Sequence, residues 1–294
     1  MFIQMFHGFC MALADSVPGV SGGTVAFIMG FYERFLGALH GLGIREERKD
    51  ALRYLRKWGA GWLLGFCASV LVLAQMLETH IYLLSSLFIG LTAASFPVLI
   101  REERESLRNF PGGLPFLIAG TALVWGMAVL QEEGGMAGHF DYGSLTAGQY
   151  GLLFLSGILA VSAMLLPGIS GSTLLLITGV YLPTVQAFSA LLHGDASVIP
   201  GLLSLILGIA AGAALAVRAI QQAFRNFRSP VIYLVLGLML GSLAAIAQGP
   251  AMLRRPQPPL SLPTFSAEGF LAGVILLFFL EYLRKKTEEK NRAH

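Results

Sequence analysis

Charged residues are scarce in this chain. Only 13% of its 294 residues are Asp, Glu, Lys or Arg, whereas a soluble protein carries about a quarter. This shortage argues against a soluble domain, and the net charge of +3 gives no sign of a nucleic acid partner. Hydrophobic residues make up 55% of the chain and the mean hydropathy is +0.70. The composition therefore predicts a membrane protein with many spans.

Cysteine is also nearly absent, and so are the patterns that bind metals. The two cysteines, Cys10 and Cys67, both lie in apolar runs, where they are expected to be small core residues rather than a disulfide. The His, Cys, Asp and Glu residues show no spacing typical of a metal site. We therefore expect no metal and no other cofactor.

A motif that occurs twice is the main feature of the sequence. Residues 18–32 (PGVSGGTVAFIMGFY) recur at 167–181 (PGISGSTLLLITGVY), with 8 of 15 positions identical. Each copy interrupts an apolar run with proline, which lacks an N–H and ends the preceding helix. Small hydrogen-bonding residues follow the proline. The pattern predicts two broken helices.

The same order of segments surrounds each motif. The first repeat, residues 1–130, is predicted to contain a hairpin and three spans, at 2–40, 58–77, 81–100 and 113–130. The second repeat, residues 149–283, has the corresponding segments at 149–192, 200–217, 230–247 and 267–283. A charged tail covers 284–294. We expect the second arm of each hairpin to be one helix, from about Gly22 to His40 and from about Gly171 to Leu192.

Basic residues predict the orientation. Three loops (45–57, 101–108 and 218–228) and the C-terminal tail hold 17 Lys and Arg, against 2 in the opposite loops. By the positive-inside rule, both termini are cytoplasmic. Each half then has an odd number of crossings, which inverts the second half relative to the first. We predict an all-α polytopic membrane protein of two inverted repeats, each a re-entrant, broken helical hairpin plus three transmembrane helices.

The broken helices suggest an anion site. A break at membrane depth is tolerated only within protein or beside a watery cavity, and it leaves backbone N–H groups at the positive end of the next helix, where anions bind. The expected substrate-binding residues are Ser21, Gly22, Gly23 and Thr24, together with Ser170, Gly171, Ser172 and Thr173. Two such half-sites that meet near the midplane would hold one anionic group such as phosphate. The alternative is that the breaks are kinks and the small residues serve helix packing.

Three charged residues lie next to the first motif. Asp15 is three positions before Pro18 in apolar sequence, where ionisable groups are usually functional. It either carries a proton or cation during transport or caps the N–H groups after the break. Glu33 and Arg34 follow the motif; they either gate the site and guide an acidic headgroup or are ordinary interfacial charges.

Two other functions fit parts of the pattern. Broken helices with Gly, Ser and Pro also suit a small-anion channel or exchanger. An intramembrane serine hydrolase would use Ser21 or Ser170 as nucleophile. Residues 19–23 match the nucleophile motif G-x-S-x-G, but that motif requires a strand-to-helix turn. An intramembrane serine hydrolase also needs a membrane-embedded histidine as partner. His7, in the same hairpin as Ser21, is the one histidine inside a predicted helix.

Residues 15–24 (DSVPGVSGGT) with 30–33 (GFYE), and residues 166–172 (LPGISGS) with 179–181 (GVY), resemble the two signatures of the bacterial polyprenyl-phosphate transporter family. The resemblance implies a flippase, not an enzyme. It would return undecaprenyl phosphate from the outer to the cytoplasmic leaflet of the bacterial inner membrane for cell-wall synthesis. The partners implied are this anionic lipid and the bilayer, and homo-oligomerisation is left open. Because Ser172 stands where the first copy has Gly23, the half-sites need not bind equally.

Overall fold

The computed structural model describes residues 2–15, 21–69, 79–132, 142–248, 250 and 257–292. Within these ranges the chain forms α-helices, one short 3-10 helix at Ala196–Val198 and no strand. The helices of the first half are α1 Phe2–Asp15, α2 Gly22–Ile28, α3 Tyr32–Gly41, α4 Arg48–Ala68, α5 Ile81–Glu102 and α6 Phe110–Glu132. Those of the second half are α7 Ala147–Met164, α8 Gly171–Ile177, α9 Tyr181–Leu192, α10 Ile199–Asn226, α11 Arg228–Gln248 and α12 Ala267–Arg292.

Several helices are long and apolar enough to cross a membrane. Five segments meet this requirement by length and composition: Ile81–Glu102, Phe110–Met127, Ala147–Met164, Ala196–Asn226 and Arg228–Gln248. Their outer faces, and that of α12, carry large exposed apolar side chains such as Trp125, Leu215 and Ile275. A soluble monomer rarely exposes so much apolar surface. The prediction of an all-α polytopic membrane protein is confirmed.

The second arm of each hairpin differs from the prediction. Instead of one helix, each arm has two, because the chain turns at Gly30 between α2 and α3 and at Gly179 between α8 and α9. Both glycines have φ +72°, a left-handed conformation that glycine adopts without steric cost. The single-helix prediction is therefore wrong at both places. The sequence pattern did not indicate these turns, because both glycines lie within apolar runs.

Three helices extend further into the basic segments than predicted. α4 begins at Arg48, α10 continues to Asn226 and α12 continues to Arg292, because Lys and Arg are good helix formers and their long stems keep the charge in water. Other predictions fall outside the described residues. These are the first break at Pro18 and the parts of the spans and loops at 70–78, 133–141 and 251–256.

Glycines allow two helix pairs to pack with their backbones in close contact. α1 crosses α4 where a Cβ on Gly61 would lie 1.8 Å from the carbonyl oxygen of Met5. α7 crosses α10 in the same way, and a Cβ on Gly208 would lie 2.1 Å from the carbonyl oxygen of Phe154. Small residues at such crossings are typical of helices in membranes. The first long helix pair of each half thus has the same kind of contact.

The remaining long helices pack across the two halves. α5 packs on α12, where a Cβ on Gly90 would lie 2.1 Å from the carbonyl oxygen of Phe270. α11 packs on α6, where a Cβ on Gly237 would also lie 2.1 Å from a carbonyl oxygen, that of Leu117. α5 and α11 in addition touch each other. The last helix of each half therefore packs on a helix of the other half: α6 on α11, and α12 on α5.

The main apolar core surrounds the first motif. Its buried side chains include Phe31 and Leu36 from α3 and its N-terminal flank, and Val235 and Met239 from α11. Residues of α1, α4, α5 and α10 complete this core. The core therefore fixes α2 and α3 between both halves of the protein, beside the second motif.

Candidate functional site

The two motifs meet in the interior of the protein. The Thr24 hydroxyl oxygen accepts a hydrogen bond of 2.7 Å from the backbone N–H of Gly168, which is 144 residues away in the chain. The Tyr32 hydroxyl donates a hydrogen bond of 2.6 Å to the carbonyl oxygen of Leu165. Side chains of the first motif thus bind the backbone at the break of the second.

The N-terminus of α2 approaches the same break closely. The Ser21 hydroxyl lies 3.5 Å from the carbonyl oxygen of Leu166, a long contact. A Cβ on Gly23 would lie 3.0 Å from that oxygen and 3.1 Å from the carbonyl oxygen of Met164. A side chain at position 23 would therefore push α2 away from the second break. This close approach accounts for glycine at a position where the second motif has Ser172.

Both sides of this contact are buried. Ser21 is 2% exposed and Thr24 is 3% exposed, and Pro167 at the second break is fully buried. Gly168 has φ +90°, and a Cβ there would lie 2.6 Å from the carbonyl of Leu238 in α11. The second break is thus enclosed by protein, as a helix break at membrane depth requires.

Asp15 caps α2. One carboxylate oxygen, Oδ1, accepts a hydrogen bond of 2.7 Å from the backbone N–H of Gly22. This is the capping contact that the sequence offered as one of two interpretations, and a carboxylate is favourable at the start of a helix. The other oxygen, Oδ2, is buried and has no hydrogen-bond partner among the described residues. The Trp62 indole N–H approaches the carboxylate without completing a hydrogen bond.

Two of the N–H groups that were expected to be free are bonded. The Gly22 N–H is used by Asp15, and the Thr24 N–H donates to the carbonyl oxygen of Ser21 at 3.0 Å. The prediction of a free N–H is therefore wrong at Gly22 and Thr24. The reason is that the flanking carboxylate and the first turn of α2 satisfy these donors.

The second motif contains the start of α8, as the first motif contains the start of α2. A Cβ on Gly171 would lie 2.8 Å from the carbonyl oxygen of Ala160, so the start of α8 packs directly on α7. Ser170 and Thr173 are half-buried beside it. Ser172 lies in α8, and its side chain is outside the described part of the structure. The residues of this half-site thus lie together, at the break that Thr24 and Tyr32 bind.

Glu33 and Arg34 contact different partners. Arg228, the first residue of α11, donates to Glu33 Oε1 at 3.1 Å and binds both carboxylate oxygens of Glu103. The guanidinium carbon of Arg34 instead lies 5.2 Å from the centre of the Tyr54 ring. Glu33 therefore connects the first motif to the second half of the chain, whereas Arg34 stays within the first half.

Glu103 is the best-buried carboxylate of this ion-pair cluster. Burial raises the pKa of Glu103, but the hydrogen bonds from Arg228 and Ser106 lower it more, so the pKa lies below its ordinary range. The side chains of Glu33 and Arg228 are largely exposed, and exposed ion pairs contribute little to stability. No pattern in the sequence indicated this cluster, because Glu33 and Arg228 are 195 residues apart.

The Ser21 hydroxyl is not arranged for hydrolysis. Ser21 is directed at a backbone carbonyl, and the His7 ring stacks on Phe31 at 4.1 Å between centres. Within the described ranges, no group of His, Cys, Asp and Glu side chains could hold a metal ion. The fold and the site instead define a polytopic α-helical membrane protein in which residues of the first motif are joined to the helix break of the second motif in the interior, an arrangement typical of secondary transporters.

Comparison with known proteins places the chain in a family. A family model described as undecaprenyl phosphate translocase-like matches residues 11–258, and the chain belongs to this family. The polyprenyl-phosphate transporter of Vibrio cholerae is 30% identical over 252 residues, which are 81% of this chain and 75% of that protein. The polyprenyl-phosphate transporter of Staphylococcus aureus is 29% identical over 248 residues, 84% of this chain and 87% of that protein. No solved structure matches the chain.

These matches confirm the resemblance that the two motifs indicated. The family and both relatives are named for translocation or transport and not for an enzymatic reaction. They therefore agree with the expectation that the chain is not an enzyme.

Proposed function

We propose that this protein transports polyprenyl phosphate across the membrane and binds the phosphate headgroup where the two helix breaks meet. The observation that carries the proposal is the buried hydrogen bond between Thr24 and Gly168, which joins the two copies of the motif. Membership of the family and the names of both relatives support the choice of lipid.

The contact between the motifs contains the donors that a phosphate needs. A phosphate oxygen is a stronger acceptor than a neutral hydroxyl, so the headgroup would take over the N–H of Gly168. Thr24 would then be able to donate its own hydroxyl hydrogen to a second oxygen. Ser21, whose contact to Leu166 is long, would supply a third donor. The headgroup thus replaces hydrogen bonds between the breaks with charge-assisted ones.

The two halves are proposed to be inverted repeats, covering 1–130 and 149–283. The matching glycine contacts of α1 with α4 and of α7 with α10 support this division. So does the uneven distribution of Lys and Arg between the loops. The first hairpin would enter from the cytoplasm and the second from outside, with both termini cytoplasmic. The direction would be from the outer to the cytoplasmic leaflet of the bacterial inner membrane, with undecaprenyl phosphate as cargo.

Asp15 and Glu33 are proposed to couple and gate the transport step. Capping of α2 uses one Asp15 oxygen, and the buried Oδ2 without a partner favours a second role as proton carrier. The ion pair between Glu33 and Arg228 connects the two halves at an exposed position, which suits a contact that breaks and re-forms.

The proposal is tested by a substitution that would move the start of α2 away from the second helix break. Gly23→Val places atoms against the carbonyl oxygens of Leu166 and Met164, so we expect the preference for a short-chain polyprenyl phosphate over its uncharged alcohol to fall at least about tenfold. Gly151→Val in α7 is the matched control, because a Cβ there meets nothing within 4 Å. Binding is measured on purified protein.

The result that would overturn the proposal is a folded Gly23→Val protein with the wild-type preference for phosphate over alcohol. Chloride flux from proteoliposomes, abolished by the same substitution, would instead favour the small-anion channel. Neither outcome is expected from a headgroup site between the breaks.

A further inference from the structure

One face of α3 contacts aromatic side chains of α4. Arg34 lies over the Tyr54 ring, with 5.2 Å from its guanidinium carbon to the ring centre. One position further along, Phe35 packs on Trp58, with 4.7 Å between ring centres. Tyr54 and Trp58 are four residues apart on a helix, so they share one face. We call Arg34, Tyr54 and Trp58 the α3–α4 cluster.

The cluster contains buried donors without partners. The Tyr54 hydroxyl and the Trp58 indole N–H are buried and have no hydrogen-bond partner among the residues that the structure describes. Tyr54 as a whole is only 6% exposed. An unsatisfied buried donor destabilises a fold, and native structures contain few of them. Two at adjacent turns of one helix face require an explanation.

The second half shows that packing alone does not demand the indole donor at Trp58. A Cβ on Gly8 would meet the backbone of Trp58 and Trp62, whereas one on Gly157 would meet the backbone of Leu205 and Ile209. Apolar side chains therefore occupy the corresponding positions of α10. The two tryptophans at this crossing are specific to the first half.

The cation of the cluster is not neutralised by a neighbouring carboxylate. Glu33, next to Arg34 in the chain, pairs with Arg228 instead. Throughout the described part of the chain, no Asp or Glu forms an ion pair with Arg34. An exposed guanidinium thus lies over the ring of Tyr54, whose hydroxyl lacks an acceptor, and Trp58 lies one turn further along the same face of α4.

We infer that the α3–α4 cluster is a second subsite for a phosphate monoester, separate from the contact between the breaks. Arginine binds phosphate oxygens through its fork of N–H groups, and the Tyr54 and Trp58 donors would satisfy the remaining oxygens. Because α3 also carries Tyr32, which binds the second break, the headgroup would pass between two sites on one helix. The identification of the anion as a lipid headgroup rests on the proposed function.

The test compares two buried tyrosines: the Tyr233 hydroxyl has a hydrogen-bond partner, whereas the Tyr54 hydroxyl has none among the described residues. Tyr54→Phe removes a hydroxyl without a partner, so we expect a higher melting temperature without lipid and about tenfold weaker binding of a short-chain polyprenyl phosphate. Tyr233→Phe is the control, because the Tyr233 hydroxyl donates to the carbonyl oxygen of Leu107 at 2.7 Å. That change should lower the melting temperature and leave the preference for phosphate over alcohol unchanged.

The role of the cation is measured with Arg34→Gln and Arg34→Lys. We expect Arg34→Gln to weaken binding of the phosphate lipid about tenfold and to leave binding of the alcohol unchanged, with partial recovery in Arg34→Lys. Inorganic phosphate is the second probe. Weak competition by inorganic phosphate supports a lipid headgroup as occupant, whereas competition at equal affinity overturns that part of the inference and assigns the subsite to free phosphate.

The outcome that would overturn the subsite is wild-type affinity for the phosphate lipid in both Tyr54→Phe and Arg34→Gln. Such a result leaves the proposed function intact as long as Gly23→Val still loses the preference for phosphate. If instead Gly23→Val keeps that preference, the site between the breaks fails, and the Tyr54 and Arg34 results still decide whether the α3–α4 cluster binds phosphate.

Discussion

The hydrogen bond between Thr24 and Gly168 allows a quantitative prediction. Thr24→Val keeps the shape of the side chain and removes the hydroxyl that accepts the Gly168 N–H at 2.7 Å. Since Thr24 is 3% exposed, the N–H would be left buried without an acceptor, which costs about 1–3 kcal/mol. The same change removes one donor to the charged headgroup, worth about 1.5–3 kcal/mol in affinity.

These energies correspond to measurable effects. We expect a lower melting temperature in detergent and up to about tenfold weaker binding of a short-chain polyprenyl phosphate, because the headgroup would also satisfy the Gly168 N–H that the substitution leaves unpaired and so offset part of the lost donor. Thr24→Ser is the matched control, because it keeps the hydroxyl and should retain most of the affinity. Binding of the uncharged alcohol should change little in either variant, since it does not depend on the charged headgroup.

The reasoning is refuted if Thr24→Val melts at the wild-type temperature and binds the phosphate lipid with wild-type affinity. The two motifs would then be held together by packing alone, and their polar contact would have no part in recognition.

Three further predictions follow from other contacts. Asp15→Asn should keep the fold, because Asn caps a helix about as well as Asp, but should abolish the pH dependence of transport in proteoliposomes; an unchanged pH profile would leave Asp15 as a cap only. Glu103, whose pKa is depressed by Arg228 and Ser106, stabilises the fold above the ordinary carboxyl pKa of about 4.3, and this contribution is lost as the pH falls through the lower folded pKa. Thermal melts of Glu103→Gln should therefore depend less on pH below about 4.3 than those of the wild type, and identical acid profiles would contradict the assignment. A cysteine introduced at Ser144 in a cysteine-free background should react with a membrane-impermeant reagent from outside; reaction from the cytoplasmic side alone would exclude the proposed orientation.

The sequence predicted that the motifs belong together because repetition carries long-range information. The identical Pro, Gly, Ser and Thr positions of residues 18–32 and 167–181 indicated a paired site, and Thr24 does bind the break at Gly168. The pattern also indicated that Tyr32 belongs to the paired site, since it is one of the identical positions. Its bond to Leu165 nevertheless was not predicted, because the direction of a side chain depends on the turn at Gly30.

Other parts of the site had no signal in the sequence. Apolar periodicity cannot show a single residue with positive φ, so the turns at Gly30 and Gly179 were missed. The partner of Arg228 depends on how α11 lies against α3, and charges so distant in the chain form no local pattern. The capping bond from Gly22 to Asp15 was one of two interpretations, and only geometry distinguishes an occupied N–H from a free one.

The packing of α5 on α12 has a consequence for biosynthesis. Gly90 receives the backbone of Phe270, yet a ribosome releases α12 long after α5 has entered the bilayer. Until then, lipid must fill the groove at Gly90, and this lipid is displaced only when α12 arrives. The first half therefore cannot complete its packing by itself, because α5 acquires its neighbour only after α12 has been made.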